Sequence, residues 1–323
     1  MDLVRFGHLW PVSKLSLGGA GLGGVWGSTT SEEAIATIVE AVDSGINLLD
    51  VAPLYGKGKA EQVAGEAFGG RWPAGLRVSS KCNVGNPPAE QVEGILRESI
   101  DNSLNVLGVT RLDVFFLHSN LVPEGHPMWR RSDVVHRMLS LDLFRDRVRP
   151  LLQRFVEEGL IGAWGLTGIG HPDAIIQVIS EEPKPAAVQC VSNLLDSPGG
   201  LKFFDGPTRS REIIAAVRAN AAGVMGIRAV QAGALTAMLD RPLPPDHPEM
   251  RDYRRAAGFR ALCAELSEDP ALVAHRYALS MPIDTLVLGV KNRAELRGCL
   301  AALEAGPLPA DLMRRIDDAV VSA

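Results

Sequence analysis

Short apolar runs alternate with helix-patterned stretches along almost the whole chain, and this alternation restricts the fold more than any other feature. The runs are Leu15–Gly18, Ile46–Asp50, Leu76–Lys81, Leu112–His118, Ile161–Leu166, Ala187–Val191, Val224–Ala229 and Thr285–Gly289. Helices are predicted between and after them over Ser31–Ser44, Lys59–Phe68, Pro88–Leu107, Leu143–Glu158, Pro172–Ser180, Arg209–Asn220, Arg254–Leu266, Pro270–Ser280, Asn292–Ala305 and Ala310–Ser322. Thr30 and Glu33 have the spacing of a capping box, and Gly45 and Gly108 stand where a helix stops. Strands that alternate with helices pair in parallel, and apolar strands without a polar face are covered on both sides. Eight such units in 323 residues fit a closed (β/α)8 TIM barrel of about 250 residues plus insertions. A doubly wound open sheet is the structural rival. The extra length forms an N-terminal extension before Leu15 and long loops at Ser119–Leu141 and Leu239–Tyr253. Both loops follow strands, so they lie on the C-terminal face. No linker or repeat divides the chain, and residues 1–323 are expected to form a single domain.

Composition narrows the class. The chain is 46% hydrophobic and 22% charged, enough apolar material for a full core. A net charge of −5 argues against a nucleic-acid partner. The seven histidines lack ligand spacing, so no metal is expected. Cys82, Cys190, Cys263 and Cys299 have no C-x-x-C spacing and read as reduced intracellular thiols. No apolar stretch approaches membrane-spanning length, and the N-terminus lacks a signal-peptide pattern. The expectation is a cytoplasmic enzyme acting on a small molecule, with no nucleic acid and no membrane as partner.

Two motifs carry chemistry. Gly19-Ala20-Gly21-Leu22-Gly23-Gly24 satisfies G-x-G-x-x-G. A dinucleotide fingerprint passes from strand into helix at its last glycine, whereas here Val25–Thr29 intervene. The run is therefore predicted as a loop whose backbone lies close to something bound in the barrel mouth. The second motif is spread over three consecutive strand ends. Ile46–Leu49 ends at Asp50, with Tyr55 in the loop beyond Pro53; the third run ends at Lys81 and the fourth at His118. Each residue has an ordinary reading: a turn-capping Asp, a packed loop Tyr, a solvated Lys, a structural His. Parallel neighbours lie about 4.8 Å apart, so all four converge on one patch of the mouth. A phenol has a free pKa near 10, and an adjacent ammonium is expected to lower it. Asp50 would hold Lys81 charged, His118 would orient a carbonyl, and Tyr55 would act as general acid or base.

This grouping resembles the aldo-keto reductase family. Leu48–Glu61 is similar to that family's Asp–Tyr signature, and Ser99–Leu117 to its second signature; the likeness runs from about Leu15 to about Ala305. The resemblance implies hydride transfer between a nicotinamide cofactor and a carbonyl or alcohol, with Asp50, Tyr55, Lys81 and His118 as the catalytic tetrad and Tyr55 as proton donor. It also implies cofactor contacts. Gly19 and Ala20 fall in the glycine-rich loop after the first strand. Gln189 falls on the carboxamide-binding Gln. The usual Ser-Asn pair is Thr167-Gly168, and the stacking aromatic is Ile227. Arg228 has two readings, a reach to pyrophosphate or substrate and a strand-end ion pair. Gly289, Lys291, Arg293 and Glu295 fall in the phosphate- and adenine-binding run, with Cys299 where Asn is common. Two cations place NADP first; Glu295, which suits a free ribose diol, keeps NAD second.

Trp26, Leu54, His126 and Trp129 are candidates to line the substrate pocket, with rim packing the alternative for both tryptophans. Leu54 together with Phe115-Phe116 predicts no dedicated anion clamp. Small aldehydes, ketones and sugar lactol/lactone pairs fit. Thr167-Gly168 and the Ala-Pro-Leu-Tyr-Gly turn resemble sugar-dehydrogenase branches of the family. Two other readings stand beside this one: a nucleotide-binding regulatory or redox-sensing barrel without turnover, and an unrelated barrel using Lys81 as a Schiff-base amine.

Overall fold

The computed structural model describes residues 1–126 and 135–320. Eight parallel strands close into a barrel: β1 (Leu15–Gly18), β2 (Leu48–Asp50), β3 (Arg77–Cys82), β4 (Val114–Leu117), β5 (Trp164–Thr167), β6 (Ala187–Val191), β7 (Gly223–Ile227) and β8 (Thr285–Leu288). They pair in sequence order, and β8 closes on β1 through Leu286↔Leu15 and Leu288↔Leu17. The fold is thus a (β/α)8 TIM barrel, and the open-sheet rival is excluded.

Surrounding helices are α1 (Ser31–Asp43), α2 (Lys59–Ala67), α3 (Val92–Leu107), α4 (Arg149–Glu157), α5 (Pro172–Ser180), α6 (Ser210–Ala219), α7 (Pro248–Arg255), α8 (Ala257–Glu265), α9 (Pro270–Ser280), α10 (Arg293–Glu304) and α11 (Ala310–Asp318). Thr30 caps α1 by accepting from the Glu33 amide, and Gly108 ends α3 in the left-handed region at φ 66°. Two expected helices differ in shape. The stretch expected at Arg254–Leu266 begins earlier, at Pro248, and breaks at Ala256. The one expected from Leu143 passes through a wide π turn over Phe144–Val148 before α4.

The barrel interior is filled from below. The N-terminal extension pairs Leu3–Val4 with Val12–Ser13 as a small antiparallel ribbon. Its Phe6 and Val12 pack with Leu48, Val114, Phe116, Ala187 and Met225 in one fully buried cluster. Gly165 and Gly223 make room for the two rings. A Cβ on Gly165 would lie 2.4 Å from the Phe116 ring, and one on Gly223 would lie 2.3 Å from the Phe6 ring. Burying one such ring stabilises the fold by about 1.5–3 kcal/mol. With the lower end plugged, the C-terminal face is the open one.

The glycine-rich run differs from expectation. Gly19–Leu22 forms one helical turn directly after β1. A Cβ on Gly21 would lie 2.1 Å from the Val290 carbonyl oxygen. Close approach here is to the chain's own backbone beyond β8, which is the physical reason for glycine at that position.

Candidate active site

Register sets the site. Asp50 pairs with Ser79, Lys81 with Phe116, and Gln189 with Thr167, so the ends of β2 through β6 open on one cavity. Asp50 is 2% exposed and Lys81 1%. One carboxylate oxygen of Asp50 accepts from Ser79 Oγ at 2.7 Å, Lys81 Nζ at 2.7 Å and Gln189 Nε2 at 2.8 Å. Lys81 Nζ also donates to the Val51 carbonyl at 3.0 Å. Burial pushes the Lys81 ammonium down, but Asp50 and the phenol of Tyr55 outweigh it and the net shift is upward. A lysine held this firmly protonated is unsuited to Schiff-base chemistry.

Lys81 Nζ lies 5.0 Å from the centroid of the Tyr55 ring, and the rings of Tyr55 and His118 meet edge to face at 5.7 Å. Asp50, Tyr55, Lys81 and His118 are therefore brought together. The Tyr55 phenol differs from expectation in one respect. Burial pushes it up; Lys81 pulls it down, Asp50 pushes it up again, and the net shift is upward. Loss of solvation leads the shift and Asp50 opposes the pull of the ammonium, so in the free protein Tyr55 keeps its proton. Burial, then Lys81 and Arg137, lower His118 to about 3, so its ring is neutral at ordinary pH. Both rings keep part of their surface open to the mouth, yet they lie deep enough that loss of solvation leads both shifts. His118 Nδ1 is buried without a hydrogen-bond partner among the described residues.

A cleft of about 370 Å³, open solvent at its rim included, adjoins the tetrad. Its polar lining is Asn83, His118, Asn120, Arg137 and Thr167, and its apolar wall includes Leu54 and Phe203. Leu54, 55% exposed, stands at the rim as expected. Phe115 and Phe116 are fully buried in the core and do not line the cleft, which removes one ground for expecting no anion clamp. His126 packs against His171 at 5.6 Å, outside the lining. Trp26 also lies outside it, beside Gly289 and between Arg228 and Arg241, each 5.8 Å from its ring. Trp129 lies outside the described residues. Sequence reading missed Asn83, Asn120 and Arg137. The first two follow Lys81 and His118 by two residues each, a signal available in the sequence, whereas nothing in the sequence marked Arg137.

The expected cofactor residues take these positions. Gly19 is buried and Ala20 half-buried in the turn after β1. Thr167 ends β5, and its buried hydroxyl has no partner among the described residues. Ile227 ends β7, half-buried. Arg228 takes its ion-pair reading: φ is 62°, Nη2 meets Glu249 at 3.1 Å, and Nε donates to Gln231 at 2.7 Å. Lys291 is bonded to Asp240 and lies 3.0 Å from Glu295. Arg293 meets Glu33 at 2.9 Å. Cys299 is buried against His275 Nε2 at 3.4 Å, and burial pushes its thiol up to about 12. Glu61, also buried, accepts from Ser80 at 2.6 Å and Ser103 at 2.7 Å, tying β3 to α2 and α3 behind Lys81.

The family model described as Aldo/keto reductase family matches residues 14–321. The chain belongs to this family. Among curated aldo/keto reductase relatives, L-galactose dehydrogenase of Arabidopsis thaliana is 24% identical over 295 residues, covering 90% of this chain and 84% of that protein. Two solved structures share the fold. An aldo-keto reductase of Bacillus halodurans in its holo form superposes with a TM-score of 0.72 at 21% identity, covering 100% of this chain and 97% of that one. The glycerol dehydrogenase of Gluconobacter oxydans gives 0.70 at 22% identity, covering 98% and 94%. Among the described residues no helix is long and apolar enough to cross a membrane.

Proposed function

We propose that this aldo/keto reductase interconverts a carbonyl and an alcohol with a nicotinamide cofactor, and that Tyr55 moves the proton. One observation carries the reading: a protonated phenol meets a buried Lys81–Asp50 pair and a neutral imidazole at the open end of the barrel. In reduction Tyr55 gives its proton to the carbonyl oxygen, and in oxidation it takes one from the alcohol. Lys81, fixed by Asp50 and Val51, stabilises the phenolate left behind. His118 orients the substrate oxygen without adding charge. Residues 1–323 act as one domain in this reading.

The site suits a nicotinamide. A buried hydroxyl without a partner is costly, about 1–3 kcal/mol, and Thr167 carries one beside Gln189. These two would hold a carboxamide and Ile227 would cover the ring. Gly19 and Ala20 border the mouth, and Gly289, Lys291 and Arg293, with Arg228 only if it leaves Glu249, would hold the phosphates. When bound, the nicotinamide supplies or accepts the hydride. The expectation of NADP rests on Lys291 and Arg293 being available. Both already answer carboxylates, so a 2′-phosphate must compete with Asp240, Glu295 and Glu33, whereas Glu295 can accept from a ribose diol. We infer that NAD binds at least as tightly as NADP; a tenfold preference for NADPH in side-by-side fluorescence titrations with NADH removes that inference.

The substrate class includes sugar lactols, in line with a relative named L-galactose dehydrogenase. Tyr55→Phe tests the acid: turnover on an aldehyde and sugar panel should fall by about a hundredfold to ten-thousandfold while NADH still binds. Wild-type rates in the Phe variant would disprove the role. The second reading, a nucleotide-binding barrel without turnover, draws on Ile227, which offers no π face at the end of β7. Nucleotide binding with no turnover of any panel member would favour it.

A further inference from the structure

The cations around the mouth are nearly all spoken for. Lys81 is held by Asp50, Arg228 by Glu249, Arg241 by Asp240, and Lys291 by Asp240 and Glu295. Arg137 differs. It lines the cleft with His118 and Thr167, it is exposed, and no carboxylate or other hydrogen-bonding partner meets its guanidinium among the described residues. Among the described residues no acidic side chain lines the cleft. The backbone that carries Arg137 is fixed on both sides. Asn83 Nδ2 donates to the carbonyl of His136 at 3.1 Å, and Met138–Ser140 pairs in parallel with Asn120–Val122. Asn120 spends its own amide on the Leu201 carbonyl at 3.2 Å. Among the described residues the polar groups of the cleft lining left without a partner are therefore the Arg137 guanidinium at the rim and, buried within, His118 Nδ1, with Thr167 Oγ1 given to the carboxamide. That spacing separates one positive pole from the reacting end. The charge of Arg137 reaches the tetrad, since it is one of the causes that lower His118.

We propose that Arg137 determines specificity, and that the cleft takes a carbonyl compound, or its alcohol, that bears an anionic group, carboxylate or phosphate, distant from the carbonyl. A guanidinium binds either anion through paired N–H donors. The proposal rests on the carbonyl–alcohol reading of the same site.

The test compares wild type, Arg137→Gln and Arg137→Lys on matched pairs: 4-oxobutanoate with butanal, and glyceraldehyde 3-phosphate with glyceraldehyde. The expected result is a wild-type preference for the charged member of at least one pair. The charged-to-neutral ratio of kcat/KM should fall about tenfold in Arg137→Gln, mainly through KM. Arg137→Lys should recover part of it, because charge returns without the planar fork. The pair showing the larger fall identifies the anion. An equal ratio in wild type and Arg137→Gln, or faster turnover of the neutral members by wild type, overturns the proposal and leaves the oxidoreductase reading standing. Calorimetric titration with 4-hydroxybutanoate and with glycerol 3-phosphate reads the anion site without chemistry. Binding that Arg137→Gln loses, with no turnover of any substrate, supports the anion site and removes the oxidoreductase reading; absent or equal binding in wild type and variant overturns the anion site.

Discussion

The ends of β2, β3 and β4 and the segment beyond β8 both gather charge at the barrel mouth, but they neutralise it differently. At the first pole Lys81 and Asp50 are buried, joined at 2.7 Å, and locked by Ser79, Val51 and Gln189. At the second, Lys291 and Arg293 answer Asp240, Glu295 and Glu33, side chains with substantial exposure from distant or neighbouring segments. A buried pair that loses one member leaves an uncompensated charge in a poor solvent, whereas an exposed pair exchanges partners with water and ions at little cost. The first pole is thus built to stay as it is while chemistry proceeds. The second can be re-paired at little cost, as the nucleotide binding proposed above requires.

The contrast can be broken most directly by removing one carboxylate from each pole. Asp50→Ala strands the Lys81 ammonium and is expected to destabilise the fold by about 3–5 kcal/mol. Glu33→Gln, which frees Arg293, should leave the unfolding midpoint where it was. Chemical denaturation of both variants checks the pair, and similar losses would erase the distinction.

A smaller effect comes from acid. His118 titrates near 3 in the folded chain against an ordinary value of 6.5. Below about 6.5 the unfolded chain takes up a proton that the folded chain refuses, so stability falls as pH drops from 6.5 toward 3. His118→Gln should lose less stability than wild type between pH 7 and pH 4.5, measured by urea unfolding at both. His171 and His275 are also lowered, so part of the slope should survive in the variant. An unchanged slope would mean that His118 is solvated in the folded chain.

The smallest effect belongs to the second pole. Glu295→Gln removes a charge near Lys291 and should shift the NADH-to-NADPH affinity ratio toward NADPH by about threefold. A larger shift would make Glu295 a selectivity determinant comparable to a buried group; no shift would place the ribose elsewhere.

Much of the first pole was legible before any coordinates. Asp50, Lys81 and His118 each follow an apolar run, and parallel strands must bring consecutive run ends together. Leu15–Gly18, Ala187–Val191 and Pro172–Ser180 coincide with observed elements to the residue, because glycine, proline or turn residues bound them sharply. Helix boundaries without such punctuation, as at Arg254–Leu266, moved. The second pole was legible only as residue types. That Lys291 would face Asp240, or Arg293 face Glu33 across 260 positions, depends on which loops fold over which helix ends.

The direction of the Tyr55 shift shows the same limit in one group. Proximity of an ammonium was readable from sequence; the loss of solvation and the cancelling carboxylate, which together outweigh it, were not. The sequence by itself determined the barrel and the four side chains at its mouth, because short-range periodicity and strand order leave few other ways to bury so many apolar runs. Only the tertiary structure decided which charges stand alone. Among the described residues it left Arg137 without an ionic partner and paired Lys291, because ion pairing depends on through-space distance between segments far apart in the chain.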